Sequence, residues 1–248
     1  MESRLHLDIL PQPNDSACGP TCLHAVYRYF GDSLPLEQVM AQTARLEEGG
    51  TLAAMLGCHA LDRGYEATIY TYNLLAFDPT WFTPTARPLE DALRAQMAAK
   101  AVPKLHTATQ AYLSFLCRGG TIRMEDLTTA LIRKYLNHQI PILTGLSATY
   151  LYRNAREYGP NSDPDDIRGE AAGHFVVLCG YDRDNRSVLV ADPLHPNPLA
   201  LSNMYLISID RVIGAILLGI LTYDANLLII EPRKRQGGKT RADFDRRQ

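Results

Sequence analysis

Cysteines are scarce in this sequence, and none of them forms a close pair of the CxxC type. There are five, an odd number at scattered positions, which argues against a disulfide framework and indicates a reducing compartment. No histidine has metal-ligand spacing with a pair of cysteines, so the sequence predicts no metal and no other cofactor. The histidines concerned are His24, His59, His138 and His195.

Long hydrophobic runs are also missing. The longest apolar run, VIGAILLGIL at residues 212–221, is well short of the ~20 residues that a membrane-spanning helix needs. The first residues lack a basic region followed by a long apolar run, so no secretory signal is visible. We therefore expect a cytoplasmic protein that binds no membrane.

A strong net charge is absent as well. The formal net charge is −2, which favours no polyanionic or polycationic partner for the body of the chain. Residues 233–248 differ, because they are basic and have too few apolar side chains to offset the entropy of becoming ordered. We expect a disordered tail and no nucleic-acid partner, with nucleic-acid or membrane-surface binding by the tail as the minority alternative. The sequence leaves the oligomeric state open.

What the chain does contain is an ordinary globular composition, with 46% hydrophobic and 21% charged residues among 248. This is enough for one large core, and we assign residues 1–232 to a single domain. Apolar periodicity predicts a first helix that ends at Gly31, helices at residues 33–50 and 51–64, and a strand at 66–72. Residues 73–137 are interpreted as a helical insertion.

The last part of the chain changes character. Strand patterns occur at residues 139–145, 173–182, 186–196 and 223–232, and the sequence DRDN at 182–185 predicts a hairpin turn. Helices first and strands later indicate an α+β domain, in which an N-terminal helical half packs on a C-terminal antiparallel sheet.

A thiol stands where a loop becomes a helix, in the stretch QPNDSACGPTCLHAVYRYFG at residues 12–31. The side chains of residues 14–16 (NDS) are candidate N-caps, and Pro20 is tolerated in a first helical turn. Cys18 is therefore expected at the helix N-terminus, where free amides and the helix dipole favour a thiolate. Cys22 lies one turn further in and is predicted to pack in the core. A disulfide between the two would be strained.

A nucleophilic thiolate needs a base, a group that orients the base, and donors for the developing oxyanion. His174 opens one predicted strand and Asp192 closes the next, so a hairpin would bring both to the same end of the sheet. Asp192 could then accept a hydrogen bond from His174 and leave the other ring nitrogen for Cys18. Gln12, six residues before Cys18, is close enough for its amide to point at the same carbonyl oxygen as the Cys18 backbone N–H.

Three segments carry a resemblance to a known family: QPNDSACGPTCLHAVYRYFG, GHFVVLCGYD and VLVADP. In the order Gln, Cys, His, Asp the chain resembles the papain-like cysteine peptidases. It is most similar to the bacterial bacteriocin-processing, double-glycine leader peptidases and their stand-alone relatives. The resemblance implies a papain-like fold and thiol hydrolysis of a peptide or related amide bond. Unlike the transporter-linked members, this chain has no GxxxxGK phosphate loop, and its region 72–137 is longer than a minimal peptidase requires.

Less specific interpretations exist for each residue. A lone Cys is usually a core residue, a lone His on a strand is often structural, and Asp192 could cap a turn before Pro193. No role is predicted for Cys58, Cys117 or Cys179, and His195 is interpreted as a loop residue. Three functions stay open: a peptidase or amidase, an acyltransferase or transpeptidase that passes the acyl group to an amine, and a non-catalytic peptide-binding module.

A long polar stretch at residues 147–172 leads directly into the His174 strand. A loop of this length in a compact domain is usually functional or disordered, and we expect it to form a wall or flap of the substrate groove. The alternative is a disordered insertion that never touches the site. The residues predicted to line the groove are Gly19, Tyr150, Tyr152, Tyr158 and Gly173.

Overall fold

One large sheet with helices packed against it organises the chain. The computed structural model describes residues 2–47 and 49–233; the predicted disordered tail falls almost wholly outside them, from residue 234 onward. The helices are α1 (Cys18–Tyr29), α2 (Leu36–Gln42), α3 (Ala53–Asp62), α4 (Leu89–Ala99), α5 (Pro103–Cys117), α6 (Thr129–Asn137), α7 (Ala148–Tyr152) and α8 (Ile209–Leu218). Two 3-10 helices add Pro79–Phe82 and Gly219–Thr222.

The main sheet has eight strands, seven of them in the order β3-β2-β10-β4-β7-β8-β9, with β1 paired to β7. Its pairings are antiparallel except for β2 with β3, which is parallel. This mixture of helices and a mostly antiparallel sheet confirms the predicted fold class. The strands are β1 (Ser3–Arg4), β2 (Tyr65–Thr71), β3 (Thr121–Arg123), β4 (Ile142–Ser147), β5 (Glu157–Tyr158), β6 (Asp163–Pro164), β7 (Gly173–Asp182), β8 (Ser187–Ala191), β9 (Met204–Ser208) and β10 (Asn226–Pro232).

The buried core lies between this sheet and the helices. Strands β4, β7, β8 and β10 read as nearly continuous apolar runs because they are buried along most of their length. Helix α1 packs against β7, α3 against β2, and α8 against β4. The contact of α1 with β7 is what brings the start of α1 to the start of β7.

The first residues of the chain connect the two ends of strand β7. Strand β1 pairs with its far end, at Gly180 and Tyr181. The chain then runs back toward the start of β7, where the Gln12 amide donates a hydrogen bond of 2.8 Å to the Pro193 carbonyl. Residue 12 is thereby anchored beside the segment that follows β8.

Several predicted elements need correction. The helix predicted at residues 33–50 ends at Gln42, and further along the chain the Leu46 amide bonds to the Gly50 carbonyl and the Gly49 amide to the Leu46 carbonyl, a pairing that belongs to a turn. Gly49 and Gly50 both have positive φ, which a helix does not accommodate. Strand β9 and helix α8 are absent from the sequence prediction; the apolar run at 212–221 spans α8 and the 3-10 helix after it.

The stretch 147–172 is also more regular than an irregular loop. It contains helix α7 and the two-stranded hairpin β5–β6. Asp165 organises the hairpin, because its carboxylate accepts hydrogen bonds from the Ile167 and Arg168 amides and from the Arg168 guanidinium. Such short-range hydrogen bonds leave no apolar periodicity, which is why the sequence pattern does not predict them.

Candidate active site

Cys18 is the first residue of α1, and the helix has no side-chain cap. The N-cap is Ala17, so the prediction of a cap from residues 14–16 is wrong. The reason is local: Asn14 forms its own turn, with its side-chain oxygen accepting hydrogen bonds from the Ser16 amide at 3.2 Å and hydroxyl at 3.0 Å. Because no polar side chain occupies the cap position, the first backbone amides of α1 donate to no capping side chain.

His174 and Asp192 meet at the end of the sheet. His174 is the second residue of β7, and Asp192 directly follows β8, which pairs with β7. The His174 Nε2–H donates a hydrogen bond of 2.8 Å to Asp192 Oδ1, and both side chains are buried. With Nε2 occupied in this way, Nδ1 is the ring nitrogen left for the Cys18 thiol.

The second carboxylate oxygen of Asp192 is held by two tyrosines. The hydroxyls of Tyr152 and Tyr205 each donate a hydrogen bond of 2.7 Å to Oδ2, and the Leu194 amide donates one of 3.0 Å to Oδ1. Burial alone would raise the pKa of Asp192, but the hydrogen bond and charge of His174, with the Tyr205 and Leu194 donors, lower it to about 2. Asp192 is therefore an anion throughout the neutral range.

The His174 ring is held as a cation by its two neighbours. Burial by itself would lower the pKa of His174, but the hydrogen bonds to Asp192 and to the Cys18 side chain, with their charges, raise it to about 10. The structure thus brings a thiol, a protonated imidazole and a buried carboxylate into one chain of contacts. That Cys18 is the nucleophile and His174 its oriented base stays a prediction.

Gln12 completes the set of four residues that the sequence predicts. It is half-buried and anchored next to Asp192 through its backbone bond to Pro193. Its side-chain Oε1 is buried and has no hydrogen-bond partner among the described residues. The role of its amide toward an oxyanion stays a prediction.

Tyr152 and Gly19 differ from their predicted positions in the groove. Tyr152 is 7% exposed and its hydroxyl is engaged by Asp192, so it supports the carboxylate instead of offering a groove surface. Gly19 is buried, and a Cβ there would lie 2.5 Å from the Thr51 methyl group and close to Phe175. Gly19 is thus needed for the close approach of α1 to its neighbours, and its contact with substrate stays a prediction.

The other three predicted groove residues are exposed. Gly173 precedes His174 on the surface, and Tyr150 and Tyr158 are 45% and 44% exposed. The Arg168 guanidinium lies 4.2 Å from the Tyr158 ring centre and covers one face of it. A cavity of about 300 Å³ adjoins this region, lined by Ser147, Thr149, Tyr150, Arg153, Arg156, Ala171, Leu218 and Leu221. Contact of these groups with a substrate stays a prediction.

Sequence reasoning misses Tyr205, Asn203 and the true role of Tyr152. Asn203 pairs with the backbone of Asp192, donating from its side-chain amide to the Asp192 carbonyl at 2.6 Å. Tyr205 follows on the short strand β9. Alternation along residues 204–208 could have indicated the strand, but no sequence signal tells that the Tyr205 hydroxyl reaches the carboxylate of Asp192, which follows the preceding strand.

The remaining cysteines are free thiols outside this cluster. Cys22 is fully buried, donates to the Phe175 carbonyl at 3.2 Å, and has its pKa raised well above the usual value by burial. Cys179 is also buried, Cys58 is half-buried and Cys117 is exposed. Within residues 2–47 and 49–233, no three His, Cys, Asp or Glu side chains are grouped as metal ligands, and no helix is long and apolar enough to span a bilayer.

Comparison with solved structures gives distant neighbours, among them the following three. A double glycine motif protease from an AMS/PCAT transporter, solved with its leader peptide, is 15% identical over 93% of this chain and 94% of its own, with a TM-score of 0.45. The peptidase domain of Streptococcus ComA is 14% identical over 92% of this chain and 100% of its own, with a TM-score of 0.43. A Bacillus anthracis protein described as a C39-like peptidase is 13% identical over 94% and 98%, with a TM-score of 0.45.

The match to a family model is more informative. No curated protein matches the chain. The model described as Peptidase_C39 like family matches residues 4–203, which include the start of α1 and both strands that carry His174 and Asp192. This match confirms the predicted papain-like peptidase fold and supports a cysteine peptidase function. The chain belongs to the Peptidase_C39 like family.

Proposed function

We propose that the protein is a cysteine peptidase or amidase that cleaves a peptide or related amide bond through Cys18, His174 and Asp192. The observation that carries the proposal is the His174 ring, which donates through Nε2 to Asp192 at 2.8 Å and whose pKa Asp192 and the Cys18 side chain raise against the effect of burial. A histidine with a buried carboxylate on one side and a thiol as its other partner meets the requirements of thiol catalysis.

The first half of the reaction forms a thioester. The Cys18 sulfur attacks the carbonyl carbon, and the carbonyl electron pair moves to oxygen as an oxyanion. The Cys18 backbone N–H and the Gln12 side-chain amide are the proposed donors to that oxygen. When the C–N bond breaks, the His174 imidazolium gives its proton to the leaving amine.

The second half releases the acyl group. Water attacks the thioester carbon while neutral His174 takes a proton from it, and the C–S bond breaks to regenerate the thiol and a carboxylic acid. Asp192 keeps the imidazole in one tautomer and one orientation in both halves, because its Oδ1 accepts the Nε2–H and its Oδ2 is fixed by two tyrosines.

Trapping the acyl intermediate tests this proposal. The protein is incubated with a pool of N-acetylated peptides, quenched in acid, digested and mapped by mass spectrometry. We expect acylation at Cys18 and none at Cys117, the exposed thiol that serves as an internal control. Added glycinamide then separates hydrolysis from acyl transfer, since a transferase would form the glycinamide adduct. Peptide binding with neither acylation nor cleavage would instead identify a non-catalytic binding module.

The hairpin β5–β6 is the proposed flap of the substrate groove. Arg156, at its base, donates from its guanidinium to the Asp166 carbonyl and accepts from the Asp165 amide through its own carbonyl, so the hairpin can be shortened without removing α7. Replacing residues 157–164 with a short Gly-Ser linker should raise KM several-fold or change selectivity, because a wall of the groove is lost. The alkylation rate of Cys18 by iodoacetamide should stay the same. An unchanged KM and selectivity in a folded variant would show that the hairpin does not contact substrate.

A further inference from the structure

A second buried carboxylate lies at the same end of the sheet, beside Gly173, the residue before His174. This is Asp224, which lies two residues before the start of β10 and is only 6% exposed. Two glycines make room for it: a Cβ at Gly173 would lie 2.5 Å from Asp224 Oδ2, and one at Gly145 would lie 3.0 Å from Oδ1. The carboxylate therefore rests on the backbone directly before His174.

Asp224 is poorly satisfied for a buried acid. Its Oδ2 accepts one hydrogen bond of 2.9 Å from the Thr222 hydroxyl, which also lies 3.1 Å from the Gly219 carbonyl and has a single hydrogen to give. No Lys or Arg of the described chain forms an ion pair with it. Asp192, by contrast, has four donors. A buried carboxylate with so little support costs free energy, and such groups concentrate at functional sites.

The electrostatics of this position agree with the geometry. Burial raises the pKa of Asp224 to about 7, while the Thr222 hydrogen bond and the charge of His174 act in the opposite direction. The other titratable side chain that interacts with it is Tyr112 of α5, whose pKa is raised by its own burial. Burial thus destabilises the charge of Asp224, and the Thr222 hydrogen bond and the His174 charge offset this only in part.

A second unsatisfied acceptor accompanies it. Asn226 is fully buried, its side-chain nitrogen donates to the Asp224 carbonyl, and its Oδ1 has no partner in the described part of the chain. Access from solvent exists at Gly173, which is exposed, and beside Thr222, which is half-buried. A charged acceptor beside Gly173, the residue before His174, with an amide acceptor two residues further along the chain, suits an ammonium or guanidinium group.

We propose that Asp224 is a specificity-determining residue, which binds a cationic group of the substrate, such as a lysine or arginine side chain or a free amine, close to the bond that Cys18 attacks. A role in substrate selection rests on the proposed function, because it requires that Cys18 attacks a substrate. It adds the substrate class: peptides or amides with a positive charge near the scissile bond.

Alkylation of Cys18 by a matched series of reagents tests the proposal without any known substrate. The reagents are bromoacetamides whose N-alkyl chain of two to six methylenes ends in an ammonium group or in a hydroxyl. At pH 8 the ammonium reagent should react with Cys18 about ten-fold faster than the hydroxyl reagent at the best chain length, because the cation is held by Asp224. The ratio at exposed Cys117, measured in the same digest, gives the intrinsic difference between the reagents.

Three comparisons make the test specific. In Asp224→Asn the ratio at Cys18 should fall to the Cys117 value. In Asp210→Asn the ratio at Cys18 should be unchanged, because this substitution removes only an exposed charge of α8, which pairs with Arg186. In the wild type, the ratio should fall as the pH is lowered from 8 to 6, since the carboxylate becomes protonated. This last comparison needs no variant and holds even if Asp224→Asn does not fold.

The outcomes separate this inference from the proposed function. The role of Asp224 is overturned if the ammonium reagent alkylates Cys18 of the wild type no faster than the hydroxyl reagent does, or if its faster reaction persists in Asp224→Asn. This holds even if the protein cleaves peptides. Cation preference without any acylation by peptides supports Asp224 and contradicts the peptidase. If Cys18 reacts with none of the reagents, its assignment as the nucleophile is wrong. The role of Asp224 is then decided by NMR, which measures whether the unreactive analogues with hydrogen in place of bromine bind more tightly in the ammonium form.

Discussion

Replacing Cys18 with alanine is expected to lower kcat/KM toward any confirmed peptide substrate by about a thousand-fold or more. The substitution removes the only atom that can form the thioester, so the residual rate reflects binding and oxyanion stabilisation alone. Cys18 is half-exposed at a helix end, and we expect the unfolding temperature to change little. The measurement is a progress curve with purified protein at high enzyme concentration, together with a thermal melt.

Two other cysteines provide matched controls for this substitution. Cys117→Ala removes an exposed thiol and should leave both activity and stability unchanged. Cys22→Ala removes a buried thiol that bonds to the Phe175 carbonyl, so it should cost about 1–2 kcal/mol of stability while cleavage by the folded fraction persists. Full activity in Cys18→Ala, or loss of chemistry confined to Cys22→Ala, would disprove the assignment of the nucleophile.

Asp192→Asn should produce the second largest loss, on the order of a hundred-fold to ten-thousand-fold in kcat. An amide at this position cannot hold the His174 Nε2–H by charge, and its own NH₂ group would face either His174 or the two tyrosine hydroxyls. The pKa of His174, raised to about 10 in the wild type chiefly by Asp192 and Cys18 against burial, should fall. The alkaline limb of the pH–rate profile should therefore move to lower pH.

The same pair predicts how stability depends on pH. The raised pKa of His174 stabilises the fold below its unfolded value of about 6.5, and this contribution is lost as the pH rises through about 10. The lowered pKa of Asp192 stabilises above its unfolded value of about 3.9, and that contribution is lost as the pH falls through about 2. Denaturant melts across pH should show both losses in the wild type and a much weaker alkaline loss in Asp192→Asn.

Tyr205→Phe is the graded control for this prediction. It removes one of the two hydroxyl donors to Asp192 Oδ2 but keeps the carboxylate and the ring packing. We expect a loss of a few-fold in kcat and an alkaline limb that does not move to lower pH, because Asp192 keeps its charge beside His174. An effect of Tyr205→Phe equal to that of Asp192→Asn would mean that the tyrosine acts on substrate directly.

Periodic patterns explain why much of the fold could be predicted. Strand β7 occupies residues 173–182 as its apolar run indicates, and the hairpin to β8 follows the DRDN turn. The positions of Cys18, His174 and Asp192 at the ends of these elements follow from the same patterns. Elements defined by local hydrogen bonds, such as the Asn14 turn and the Asp165 hairpin, carry no such period and were not predictable.

The supporting residues of the site depend on contacts between distant parts of the chain. Tyr152 reaches Asp192 because α7 turns back at the end of β4, and Asp224 reaches Gly173 because β10 enters the sheet beside β4. Neither fact is contained in the residues around Tyr152 or Asp224. Sequence reasoning can thus identify the reacting groups, while the groups that tune them follow only from the sheet topology.

Strand β10 has a consequence for the order in which the protein assembles during synthesis. It is the last described strand in the chain, yet it lies between β2 and β4 and joins the two halves of the sheet. Asn226 pairs with Thr71 on one side and Gly145 on the other, so these contacts close very long loops. A nascent chain that still lacks residues 224–232 has β2 and β7 in separate halves and no carboxylate beside Gly173. The candidate active site is therefore completed late. A ribosome-bound chain can form it only after nearly all of the described residues have emerged.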